Sequence, residues 1–136
     1  MKHRVLVVED NPFGREMLCD WLDLNGFEAE PASNLRDAFA AVRREQPGVV
    51  LLDVQLGDDD GLSLAAWMRQ DESLCHVPVI AVTAHAMVAE QERMMQAGCN
   101  ACISKPIEFG LLESQLRKWL AATSADSIYL PRETQF

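Results

Sequence analysis

Five strand-length runs, each followed by a longer segment with helical periodicity, limit what this chain can fold into. Val5 to Val8, Val49 to Leu52, Val79 to Thr83 and "ACIS" (Ala101 to Ser104) are largely apolar. Glu28 to Ala32 is a weaker, polar run that reads as an edge strand. Strands that are apolar throughout have no solvent face, so they belong to a parallel sheet covered on both sides.

The intervening segments carry helix punctuation. Pro12 suits a first helical turn, and Met17, Leu18, Trp21 and Leu22 recur at helical spacing up to a C-cap signal at Asn25-Gly26. Ser33 or Asn34 caps a second helix through Arg43, with Leu35, Ala38, Phe39 and Val42 on one face, before Pro47-Gly48 breaks it. Leu62, Leu64, Ala65 and Met68 mark the third helix. The fourth carries Met87, Val88, Met94 and Met95 and ends at Ala97-Gly98. The last runs from Phe109 to about Ala122, with Leu112, Leu116, Trp119 and Leu120 along one stripe. Right-handed crossovers make the whole an α/β, doubly wound, five-stranded parallel sheet. Residues 1–123 form one domain. Residues 124–136, "SADSIYLPRETQF", lack periodicity and read as a loose end or a docking segment built on Ile128, Tyr129, Leu130 and Phe136.

In an open parallel sheet, ligands gather outside the carboxyl ends of the strands. The first strand ends in Glu9-Asp10 and the third in Asp53, so neighbouring strands would bring three carboxylates into one crevice. Like charges that close repel and raise one another's pKa. A divalent cation relieves them. Mg2+ suits one or two carboxylates, a carbonyl and retained waters, and the backbone carbonyl of Gln55 is placed to serve. Thr83 and Lys105 end the fourth and fifth strands at the same edge. A hydroxyl and an ammonium beside a metal-bound carboxylate suit phosphoryl transfer, with Asp53 as nucleophile and an aspartyl phosphate as product. Asp58, Asp59 and Asp60 read as a solvated acidic turn before the third helix and are not assigned to the metal.

Composition removes other classes. A net charge of −9 and a pI near 4.7 argue against a nucleic-acid surface. No apolar run approaches the roughly 20 residues of a membrane helix, and "MKHRVLVVED" is no signal peptide, which places the protein in the cytoplasm. Cys99 and Cys102 form a C-x-x-C and Cys75 precedes His76, but no second tight ligand motif completes a zinc set. The four cysteines, with Cys19, read as buried structural thiols. A dehalogenase-type aspartyl-phosphate phosphatase wants a D-x-D nucleophile on the first strand, whereas Asp53 lies on the third and is followed by Val54-Gln55. A flavin protein needs a glycine- and hydroxyl-rich loop after the first strand, and "EDNPFG" is acidic.

Together, Glu9-Asp10, Asp53 with Gly61 eight residues on, Thr83-Ala84 and Lys105-Pro106 resemble the response-regulator receiver domain across residues 2 to about 122. "HVPVIAVTAHAM" and "GCNACISKPI" are most similar to single-domain receivers of the DivK type and to the receivers of hybrid histidine kinases. The resemblance implies a flavodoxin-like (βα)5 fold with strand order 2-1-3-4-5. It also implies a bacterial two-component or phosphorelay protein rather than an enzyme acting on external substrates. Asp53 would accept phosphate from the phosphohistidine of a histidine kinase or phosphotransfer protein. Asp10, Asp53 and the Gln55 carbonyl would hold Mg2+, with Glu9 reaching it through water. Lys105 would bind one phosphoryl oxygen and Thr83 another, and small Ala84 would leave access. Gln55 and His85 would flank the phosphoryl group and set its hydrolysis rate. Output would be protein binding through the face of helix four, strand five and helix five, from a monomer or weak dimer.

Two departures from the family pattern matter. Leu56-Gly57 stands where Met-Pro is frequent, which widens the loop's conformational range. Cys102 occupies the switch position, where an aromatic ring usually swings inward, and a thiol is too small for that. The outward signal is therefore expected to run through the loop after the fourth strand. Met1 directly before the first strand favours a free-standing regulator, with a receiver excised from a hybrid kinase or multidomain regulator, acting as a relay intermediate, as the alternative.

Overall fold

A computed structural model describes residues 2–128, with side chains described through residue 122. The elements run β1 (His3–Val8), α1 (Pro12–Leu24), β2 (Phe27–Ala32), α2 (Leu35–Arg44), β3 (Val49–Asp53), β4 (Gln55–Leu56), β5 (Asp59–Asp60), α3 (Leu62–Arg69), β6 (Val79–Thr83), α4 (Val88–Gln96), β7 (Ala101–Ser104) and α5 (Phe109–Ile128). The main sheet is parallel in the order β2-β1-β3-β6-β7. With the small β4–β5 hairpin set aside, this is the expected 2-1-3-4-5. The polar β2 lies at one edge, where its solvent-facing side chains cost nothing in desolvation.

Strand periodicity divides the core in two. Leu6, Val8, Val50 and Leu52 point to one face and pack with Ala38, Val42, Leu64, Met68 and Met94 from α2, α3 and α4. Val5, Val7, Val49, Leu51, Ile80 and Ile103 point to the other, against Leu18, Leu22, Leu112, Leu116 and Leu120 from α1 and α5. Burying a side chain of this size contributes about 1.5–3 kcal/mol. The central strands therefore supply stability on both faces at once.

Helix starts follow the expected chemistry. Asn11 caps α1 by accepting from the Gly14 N–H at 3.0 Å, with Pro12 at the first helical position. Of the two candidates before α2, Asn34 is the cap, accepting from Asp37 N–H at 2.8 Å. Gly26, just past the end of α1, takes φ +91°, a value that L side chains rarely adopt.

Several expectations need correction. The loop after Asp53 is an ordered antiparallel hairpin, pairing Gln55 with Asp60 and Leu56 with Asp59. Gly57 turns it with φ +62°, the freedom a glycine-first two-residue turn requires. Of the apolar residues on α4 only Met94 is buried, while Met87, Val88 and Met95 face solvent. Helix α5 continues to Ile128, past the expected end near Ala122, so the proposed tail begins within a helix. Its residues 129–136 lie outside the described residues. Only Cys99 among the cysteines is fully buried; Cys19 and Cys102 are half-buried and Cys75 is exposed. Burial pushes the Cys99 thiol up to about 12, which keeps it protonated and unreactive. No helix among the described residues is long and apolar enough to cross a membrane.

Candidate functional site

Register decides which strand ends meet. Val8 pairs with Leu52 and Asp53 with Val82, so Glu9, one residue beyond β1, emerges beside Asp53 at the end of β3. On the other flank Thr83 pairs with Ser104, and the Lys105 N–H donates to the Thr83 carbonyl at 2.8 Å. All four chemically capable strand ends thus open on one cleft of about 320 Å³, which Asp10, Asn11, Gln55, Gly57 and Ala84 also line.

Inside it, the Lys105 ammonium bridges two acids, donating to Glu9 Oε1 at 3.1 Å and to Asp53 Oδ2 at 3.2 Å. Glu9, Asp53 and Thr83 are the buried polar side chains of the described residues, at 4%, 6% and 6% exposure. Their burial needs compensation, which hydrogen bonds supply. Asp53 Oδ1 accepts from the Gln55 N–H at 3.2 Å, and Glu9 Oε2 accepts from the Asn11 N–H at 3.1 Å. Asp10 Oδ2 accepts from the Gly57 N–H at 2.9 Å, which ties the hairpin to the acid pair.

Electrostatics follow from this crowding. Burial, and then the Glu9 carboxyl beside it, raise the Asp53 pKa to about 6, against the opposing pull of Lys105 and the Gln55 N–H. Burial works to lower the Lys105 pKa, but its bonds to Glu9 and Asp53 outweigh that and leave it raised, so the ammonium stays charged. Glu9, Asp10 and Asp53 each place a carboxylate oxygen within 4.8 Å of the others, the one such group among the described residues with the spacing to hold a metal ion. Three carboxylates against one ammonium leave an excess of two negative charges. With oxygen-only donors, that set fits a hard divalent cation such as Mg2+.

The other expected residues are placed unevenly. Gln55 and Ala84 line the cleft. The Thr83 hydroxyl is turned toward its own loop and accepts from the His85 N–H at 3.0 Å. The His85 side chain is exposed and is not among the residues lining the cleft. Cys102 packs at the margin of the core on the α2–α3–α4 side of the sheet. Asp58, Asp59 and Asp60 are exposed and apart from the acidic cluster. Asp60 instead accepts from the Leu62 N–H at 3.0 Å at the start of α3 and pairs with Arg93 of α4 at 3.1 Å.

Sequence reasoning missed Asn11, Arg15, Gly57 and the role of Gly61. Asn11 and Gly57 act through backbone N–H groups, which every residue but proline possesses, so residue type gave no signal. A Cβ on Gly61 would lie 2.3 Å from the Asp53 carbonyl oxygen, a contact across the loop that only the folded chain reveals.

This parallel sheet, with acids and a lysine at the strand ends, defines a receiver domain, and the chain belongs to the response regulator receiver domain family, whose model matches residues 5–117. It is 37% identical over 120 residues to the polar-differentiation response regulator DivK of Brucella anthropi, covering 88% of this chain and 98% of that protein. DivK of Brucella abortus is equally similar. Among solved structures, the receiver domain of a sensor histidine kinase from Pseudomonas aeruginosa PAO1, with a magnesium ion coordinated in its active-site cleft, superimposes with a TM-score of 0.82. The two are 29% identical, over 89% of this chain and 99% of that one. The receiver domain of a signal transduction histidine kinase from Syntrophus aciditrophicus gives 0.81 at 28% identity, over 88% of this chain and 91% of that one.

Proposed function

We propose that this chain is a phosphoacceptor of two-component signalling. Asp53 takes a phosphoryl group from the phosphohistidine of a histidine kinase or phosphotransfer protein. The observation that carries this reading is the Lys105 bridge between Glu9 and Asp53 inside a cleft of three converging carboxylates. An Asp53 oxygen attacks phosphorus in line, the new P–O bond forms as the P–N bond to imidazole breaks, and the histidine leaves. Lys105 must then release Asp53 Oδ2 and follow the incoming phosphoryl oxygen. Glu9, Asp10, Asp53 and the Gln55 carbonyl would hold Mg2+, which when bound neutralises charge on the phosphoryl oxygens. The protein accepts and loses phosphate without turning over an external substrate, and it works in the cytoplasm as a monomer or weak dimer.

Output is by protein contact. The exposed Met87, at the N-cap of α4, with Val88 and Met95 on the helix, lie beside the edge strand β7 and support that side of the domain as the surface a target binds. Incubation with a small phosphodonor and Mg2+ followed by intact mass tests the chemistry. One phosphate adduct is expected on the wild type and none on Asp53→Asn, and an unmodified wild type refutes the proposal.

Two further results are expected. Gln55→Ala and His85→Ala should each change the lifetime of the aspartyl phosphate severalfold, Gln55 more because it lines the cleft. Unchanged decay in both variants would remove these residues from control of hydrolysis. Thr83→Ala should uncouple the loop after β6 from the site. In wild type, beryllium fluoride with Mg2+ should alter amide exchange across residues 84–88 as the Thr83 hydroxyl leaves the His85 N–H. An equal response in Thr83→Ala would show that Thr83 carries none of the signal.

A further inference from the structure

We propose that Arg15 is a positioning residue for the metal-binding acid pair, holding the Glu9–Asp10 backbone from the α1 side of the cleft. The inference rests on the phosphoacceptor reading of the site. β1 ends at Val8, so the carbonyls of Glu9 and Asp10 project beyond the strand's pairing with β3. Arg15 Nη1 donates to the Glu9 carbonyl at 2.9 Å, and the Asp10 carbonyl lies 3.5 Å from the same nitrogen. The Glu9 N–H donates to the Ala32 carbonyl at 3.0 Å, so with Arg15 in place both backbone polar groups of Glu9 are fixed. Arg15 is anchored in turn, because its own N–H donates to the Asn11 carbonyl at 2.9 Å in the first turn of α1.

The physical consequence concerns peptide planes. A carbonyl without a partner leaves its peptide free to rotate, and rotation of the Glu9–Asp10 peptide swings the Asp10 side chain relative to Asp53. Such a swing would separate the oxygens now within 4.8 Å of one another. Arg15 Nη1 carries two N–H groups held in the rigid guanidinium plane, so one nitrogen can serve both adjacent carbonyls, whereas a lysine ammonium rotates freely on a flexible stem.

Charge and geometry predict opposite results, which makes the test decisive. Arg15 is a cation near a cation site, so electrostatics alone makes Arg15→Ala bind Mg2+ more tightly. Positioning makes it bind more weakly, by about tenfold, as outer groups that orient metal ligands typically do. Titration calorimetry with MgCl2 on full-length wild type, Arg15→Ala and Arg15→Lys reads the difference. The order expected is wild type tightest, Lys intermediate and Ala weakest. Amide exchange in EDTA supplies a metal-free readout, with faster exchange expected at Glu9 and Asn11 in Arg15→Ala. If the alanine variant does not fold, Arg15→Gln, which keeps one donor, replaces it and should fall between wild type and the alanine expectation. Equal or tighter Mg2+ binding with unchanged exchange overturns the role of Arg15. A wild type that binds no Mg2+ instead overturns the reading of the cleft, and the inference with it.

Discussion

Asp53→Asn is expected to make the metal-free protein more stable at pH 8, by about 2 kcal/mol, and the gain should fade as the pH falls. Asp53 has a folded-state pKa near 6, above its ordinary 3.8. A carboxyl whose folded pKa is raised stabilises the fold while protonated. That contribution is complete below about pH 4 and is lost as the pH rises through 6. Above pH 6 the buried, ionised carboxylate therefore costs stability, by on the order of 2–3 kcal/mol for a shift of this size. Asparagine removes the charge and keeps the shape, and Lys105 retains Glu9 as partner. Losing the Lys105–Asp53 attraction offsets part of the gain, which is why the lower figure is expected. Thermal melts in EDTA at pH 8 and pH 4.5 check it. A rise of roughly 5–10 °C is expected at pH 8 and little at pH 4.5. Mg2+ should narrow the gap at pH 8, since a ligand that binds only the folded wild type stabilises it. A difference of equal size at both pH values would show that Asp53 ionisation is not its source. A divalent cation held by Glu9, Asp10 and Asp53 would relieve the same repulsion.

Gly61→Ala should do the reverse and damage both stability and chemistry. Gly61 sits at helical φ −58° and ψ −26° before α3, where alanine is ordinarily better by about 1 kcal/mol. Steric overlap reverses that sign. The new methyl would lie 2.3 Å from the Asp53 carbonyl oxygen and 3.1 Å from that of Val54, both backbone atoms that no rotamer change moves aside. The close approach is held by the Gly61 N–H donating to the Val54 carbonyl at 2.7 Å. Overpacking of this kind costs about 3 kcal/mol. Relief requires the end of β3 to shift, and a displacement of about 1 Å in a reacting group lowers rates about a hundredfold. Denaturant unfolding and the rate of phosphate adduct formation check the two effects. Gly14→Ala is the control. It makes the same chemical change in α1, where the new Cβ would be 3.6 Å from the Glu9 side chain, an ordinary contact. It should be neutral or stabilising by up to about 1 kcal/mol. Equal stability of Gly61→Ala and Gly14→Ala would refute the close-approach argument.

The two substitutions separate what each level of description supplies. Asp53, Lys105, Thr83 and Glu9-Asp10 were legible in the sequence because each ends an apolar run, and a polar residue there must face the sheet's open edge. The fold was legible for a similar reason: strand and helix periodicities are local, and Pro12 and Ser33-Asn34 mark helix starts through effects within one turn. The β4–β5 hairpin was not, since its two-residue strands are too short to show a period and Gly57 permits many paths. The exposure of Met87, Val88 and Met95 was equally hidden, because apolar residues identify a helix but not how far it stands from the sheet.

By itself the sequence determined an α/β sheet with Glu9, Asp53, Thr83 and Lys105 at one edge, through interactions that reach no further than a helical turn or a strand's alternation. Tertiary structure alone decided that Lys105 spans Glu9 and Asp53, that burial and Glu9 raise the Asp53 pKa to about 6, that Arg15 donates to the Glu9 carbonyl and that Gly61 lies against the Asp53 carbonyl. The Lys105 bridge and the Asp53 pKa depend on the register between strands distant in the chain, and the Arg15 and Gly61 contacts on how the loops after β1 and β3 close, so an ångström in either changes a hydrogen bond or a pKa without altering any local pattern.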